Sequence, residues 1–60
     1  MNEEYMQNFY SALNTLAVAH EALAKTYEQT ENESVKLLAD KAKESLTLAI
    51  EVYSSLGGEL

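Results

Sequence analysis

The stretch "EQTENES", Glu28 to Ser34, decides how this chain folds. It separates two long segments of helical periodicity. It collects Thr, Asn, Ser and Glu, whose side chains favour turns and helix caps. Thr30 with Glu33 fits a capping box, and Asn32 is an alternative cap. The stretch contains neither Gly nor Pro, so the break is read from composition, and one continuous helix is the alternative. A break here predicts a first helix over about 2–29, a turn over about 30–32, a second helix over about 33–56 and a short tail over 57–60.

Working back from the break, the apolar residues of the first helix run Met6, Phe9, Leu13, Leu16, His20, Leu23 and Tyr27. The steps alternate three and four, an uninterrupted a/d seam for a facing helix. Ala12 and Ala19 flank it on one side and Ala17 and Ala24 on the other, small enough to let a neighbour approach closely. Gln7, Asn8, Ser11, Asn14, Glu21, Lys25 and Glu28 make a solvated face. Asn2 is suited to cap this helix, with Glu3 and Glu4 in the first turn, where the macrodipole favours anions.

Forward of the break, projection at about 100° per residue places Val35, Leu38, Ala39, Ala42, Leu46, Ala49, Tyr53 and Leu56 on one face. Ile50 and Val52 widen it on either side. Leu37 and Leu48 point well away from that face and nearly align with each other. An apolar arc this wide predicts more than one neighbour. Gly57 suits the left-handed position that ends a helix, and "GGEL" reads as a tail.

Sixty residues allow one domain, and chains this short bury a modest share of their surface. There is no cysteine, so neither a disulfide nor a Cys-containing zinc site is available. A lone hairpin has a single helix–helix seam and leaves much of each apolar face wet. The expected architecture is therefore all-α, a two-helix antiparallel hairpin dimerising into a four-helix bundle. Docking of one hairpin into a different protein is the alternative.

Ten acidic residues face four lysines and no arginine, for a net charge of −6. Arginine is the preferred residue for bidentate phosphate and base-edge contacts, and an acidic surface is repelled by phosphate and anionic lipid. Nucleic acid is thus an unlikely partner. No stretch approaches the roughly 18 apolar residues of a membrane span. "MNEEYMQNF" reads as neither a secretory signal nor a transit peptide, and the expected location is cytoplasmic.

His20, the only histidine, has Leu16, Ala17, Leu23 and Ala24 at the positions where a helical metal pair needs its second ligand. Ligands from another helix would have to be Glu51, Asp40 or a second His20. It reads as a seam residue whose ring packs among leucines while a nitrogen meets water, a carbonyl or a Tyr. No serine carries a nucleophile-elbow pattern, so no catalytic residue and no cofactor is assigned, and the chain is expected not to be an enzyme. Tyr10, far round the first helix, and Leu37, Leu48 and Val52 on the second are the candidate partner or dimer surface. Lys36, Lys41 and Lys43, interleaved with Asp40 and Glu44, read as an ion-paired solvated face.

Three short stretches resemble known families. "ALN" at Ala12–Asn14 and the Gly-acidic-Leu ending resemble Rop, a helical hairpin that dimerises into a four-helix bundle and binds paired RNA loops. The outer face that such RNA binding would use offers only Lys25 beside Glu21 and Glu28. "LAIEVYSSLGGEL", Leu48 to Leu60, is similar to the closing helix of type III secretion needle co-chaperones, themselves two-helix hairpins. "ALAKTY" followed by "LAIEVYSSLG" resembles tetratricopeptide helices, at a separation several residues too long for that repeat. The chain is assigned to none of the three. The functional expectation is a small non-enzymatic regulator, adaptor or inhibitor of a larger protein, of the kind carried by phages and plasmids. A co-chaperone that sheathes a partner's apolar helix is the alternative, and a Rop-like RNA binder the third reading.

Overall fold

The chain is described by a computed structural model over residues 4–59. Two helices, α1 (Glu4–Thr30) and α2 (Glu33–Ser55), pack against each other as an antiparallel hairpin, with no strand among the described residues. The expected Asn2 cap lies outside them.

The break lies between Thr30 and Glu33. Asn32, not Thr30, is the cap of α2. Its side-chain oxygen accepts from Ser34 N at 2.8 Å and Val35 N at 3.2 Å, meeting two of the donors a helix start leaves open. Thr30 is instead the last residue of α1. Its hydroxyl donates to the Thr26 carbonyl at 2.8 Å and accepts from Asn32 N at 3.3 Å. Glu31 takes the turn in a left-handed conformation, φ 52°, while its N–H donates to the Tyr27 carbonyl at 2.7 Å. That is an αL C-terminal motif built without glycine. At the far end, Leu56 caps α2 and Gly57 adopts φ 96°. Gly58 N donates to Tyr53 O and Gly57 N to Ser54 O, the paired bonds of a Schellman motif. A Cβ at Gly58 would fall into the Tyr53 ring.

The α1 seam runs as its spacing predicts. Leu13 is buried, and Met6, Phe9, Leu16, His20, Leu23 and Tyr27 are half-buried. The seam of α2 is Val35, Ala39, Ala42, Leu46, Ala49 and Tyr53, again in alternating steps of three and four. Leu38 and Leu56, expected in this seam, are outside it at 55% and 48% exposure. The reason is steric. The α1 seam is made of bulky side chains, and α2 approaches it closely by presenting alanines. Leu38 precedes the seam residue Ala39 by one position, which turns it out of the interface. Leu56 lies beyond the end of α2, in the cap.

Tyr53 closes the open end of the hairpin. The Phe9 ring meets it edge-on with centroids 5.6 Å apart, and Tyr10 lies tilted at 5.9 Å. Such aromatic pairs contribute about 0.5–1.5 kcal/mol beyond their burial. The result is a rod with extents of 47 × 15 × 15 Å. Its radius of gyration is 13.6 Å, against about 10 Å for a compact domain of this length.

Candidate interaction surface

Only Leu13, Ala39 and Tyr53 are buried among the described residues. What the hairpin leaves outside is therefore most of its chemistry. The two helices run in opposite directions. The residue just before each seam position in α1 and the residue just before each seam position in α2 therefore point to the same side of the rod. The residues just after the seam positions share the other side.

The two sides differ sharply. On the preceding side, α1 presents Tyr5, Asn8, Ala12, Thr15, Ala19, Ala22 and Thr26, and α2 presents Ser34, Leu38, Lys41, Ser45, Leu48 and Val52. Lys41 is the only charge in the set, and it lies 3.7 Å from Glu44. No Asp, Glu, Lys or Arg occurs anywhere between Glu4 and Glu21. Two of the polar residues have their hydroxyls engaged by their own helix. Thr15 donates to the Ser11 carbonyl at 3.0 Å and Thr26 to the Ala22 carbonyl at 2.8 Å. This side consequently presents methyl groups. Val18 and Leu37 border it, exposed at 66% and 59%, and Leu48 on it is exposed at 61%. On the following side stand Glu21, Glu28, Lys36, Asp40 and Lys43, with Tyr10 and Ile50 among them.

Tyr10, Leu37, Leu48 and Val52 are all exposed, but the structure does not bring them together. Leu37, Leu48 and Val52 belong to one apolar edge of α2, which Leu38 and Leu56 extend. Tyr10 sits on the opposite side of the rod, with its ring against Tyr53. Sequence reasoning missed the α1 half of the apolar side. It reads there as scattered Ala, Thr and Ser rather than as a hydrophobic run. Its detectable signal is the absence of charge.

His20 sits mid-rod, part-buried. Its Nδ1 lies 3.3 Å from the Ala39 carbonyl across the seam, and since a carbonyl can only accept, Nδ1 carries the proton of this bond. At the turn, Tyr27 OH donates to Glu33 Oε2 at 3.4 Å, and Lys36 Nζ stands 6.0 Å from the Tyr27 ring centroid. No group of three His, Asp or Glu side chains among the described residues could share a metal ion. An open depression of about 500 Å³ along the outside of α2 is lined by Asp40, Lys43, Glu44, Thr47, Leu48 and Glu51. All its groups come from one surface of one helix, so nothing opposes them across a cleft. No helix of the described residues is long and apolar enough to cross a membrane.

Comparison with protein-family models, with curated proteins and with solved structures gives no match. Function is read from the hairpin's own surfaces.

Proposed function

We propose that this protein acts by association rather than catalysis. It is a small regulator, adaptor or inhibitor of a larger protein, and it works as a pair of hairpins joined in a four-helix bundle. The observation that carries this reading is the inversion in α2, which turns Ala39, Ala42 and Ala49 toward its own partner helix and leaves Leu37, Leu38 and Leu48 outside. Burying a leucine side chain contributes about 1.5–3 kcal/mol relative to leaving it in water. With Leu37, Leu38 and Leu48 left outside, α2 retains that contribution for an intermolecular contact.

The test is site-specific photo-crosslinking in the cells that make the protein. A photoreactive phenylalanine derivative replaces Leu48 on the nearly uncharged side in one variant and Tyr10 on the charged side in another. The expected result is an adduct of twice the chain mass from position 48 and a discrete heavier adduct from position 10. Absence of any discrete adduct at both positions overturns action by association. Adducts of only twice the chain mass overturn the larger partner. A heavier adduct at position 48, with none at twice the mass, is the result expected of a co-chaperone that sheathes a partner's helix, and it would replace the regulatory reading.

A further inference from the structure

The side of the rod whose one charge is Lys41 fits a second copy of itself. A folded monomer of 6.7 kDa exposes about 3,900 Å² by the size scaling of globular chains. This chain exposes 4657 Å². The rod shape accounts for the excess, roughly 750 Å², and a second rod laid alongside would remove area of that order, near the ~800 Å² that each partner of a standard interface buries.

Shape agrees with area. The contacts of Phe9 with Tyr53, His20 with Ala39 and Tyr27 with Glu33 fix the register of the two helices. In that register Leu48 of α2 is level with Ala12 of α1, and Leu38 is level with Ala22. The leucine edge is interrupted at Lys41 and Ser45, and Val18 of α1 is level with that gap. Leu48 and Leu38 thus stand level with small groups of α1 on the same side of the rod, and Val18 stands at its border. Two chains of net charge −6 repel, but none of the positions before the seam residues holds a carboxylate; Lys41 is their one charge, and Glu44 and Glu51 flank Leu48 on its outer edge.

Resting on the association reading above, we infer that two copies pair about a two-fold axis running along the rod. The α2 leucines of each copy seat on the small-residue side of α1 of the other. A rotation about that axis lays α1 of one copy antiparallel on α2 of its partner and keeps every level matched. Each helix then has two antiparallel neighbours at right angles around it, and the positions before the seam residues are the ones that face the second neighbour. A two-fold axis across the rod would instead lay α1 on α1 and α2 on α2, setting leucine against leucine.

Light scattering on the full chain across a wide dilution range tests this, with two variants, Ala12→Glu and Leu48→Lys. The wild type reads twice the chain mass. Each variant alone disrupts both symmetric contacts and raises the dissociation constant roughly a hundredfold. An equimolar mixture of the two recovers the dimer. In the mixed pair, the carboxylate introduced at position 12 of one chain lies on the ammonium introduced at position 48 of the other, while the second contact stays native. Recovery on mixing decides the matter even if a single variant is unfolded when alone. A wild type that is helical and monomeric throughout overturns the inference. So does a dimer indifferent to both substitutions, or the lack of recovery on mixing. None of these three removes a heavier crosslink at position 10, so the larger partner stands or falls separately.

Discussion

At the scale of single residues, the connection between the helices rests on two adjacent side chains doing opposite things. Asn32 stabilises its end, because its side-chain oxygen accepts from two backbone donors at the start of α2. Asn32→Ala is expected to cost about 1 kcal/mol, and Asn32→Asp to cost little, in urea unfolding followed by circular dichroism at fixed protein concentration. Glu31 strains its position, since a side chain at φ 52° crowds the following carbonyl. Glu31→Gly is expected to stabilise the hairpin by about 1 kcal/mol in the same assay, and an unchanged or lowered midpoint would show that the turn is held by something other than its backbone conformation. At the other end, a side chain at position 58 meets the Tyr53 ring. Gly58→Ala should weaken the near-ultraviolet dichroism of the tyrosines while leaving most of the helix signal. These local features differ in how plainly the sequence announces them. Gly57 is legible because glycine is the usual occupant of a left-handed cap, and the structure puts it there. Glu31 is not legible, because nothing in its type requests φ > 0. Which of Thr30 and Asn32 would cap depended on one residue of helix length.

At the scale of the element, α1 and α2 solve different problems. α1 brings large side chains to every seam position, and α2 intersperses three alanines among Val35, Leu46 and Tyr53. Ala39→Leu is therefore expected to destabilise by about 1–3 kcal/mol, since it forces a bulky group against a filled surface and displaces the His20 contact. Leu13→Ala, at the buried middle of the α1 seam, is expected to cost about 2–5 kcal/mol. Thermal unfolding at constant concentration compares the two. If Ala39→Leu proved neutral, the close approach of the helices would not be what sends Leu38 outward. The α1 seam is readable from sequence because each of its positions is bulky and the opposite face polar. The α2 seam is readable only in part. Leu38 and Ala39 are adjacent, and hydrophobicity alone favours the leucine. The choice is made by the width of the facing helix, which no inspection of α2 by itself reveals. The outward leucines at 37 and 48 are legible for the converse reason, since no rotation of α2 puts them on the same face as Tyr53.

For the whole molecule, the governing fact is that nearly all the charge lies outside the side that holds Leu38 and Leu48. Association through that side brings two acidic bodies together without pairing any ions. Added salt screens their repulsion and leaves the apolar contact intact. The dissociation constant of the proposed dimer is therefore expected to fall as salt is raised, read by light scattering or sedimentation. A constant that rises with salt would assign the contact to ion pairs on the charged side. The exposed ion pair of Lys41 and Glu44 is worth at most about 1 kcal/mol and does not alter this sign.

The placement of the rings along the rod has one more consequence. Phe9, Tyr10 and Tyr53 gather at the open end, Tyr27 stands alone beside the turn, and the chain has no tryptophan. The two ends therefore carry separate ultraviolet reporters, with a long spectroscopically silent middle between them. In a Tyr27→Phe variant the tyrosine signal comes from the half of the molecule that holds both termini. In a Tyr5→Phe, Tyr10→Phe, Tyr53→Phe variant it comes from Tyr27 beside the turn alone. Following both through the same melt would time the parting of one end of the hairpin against the other, without attaching a dye to a chain this small.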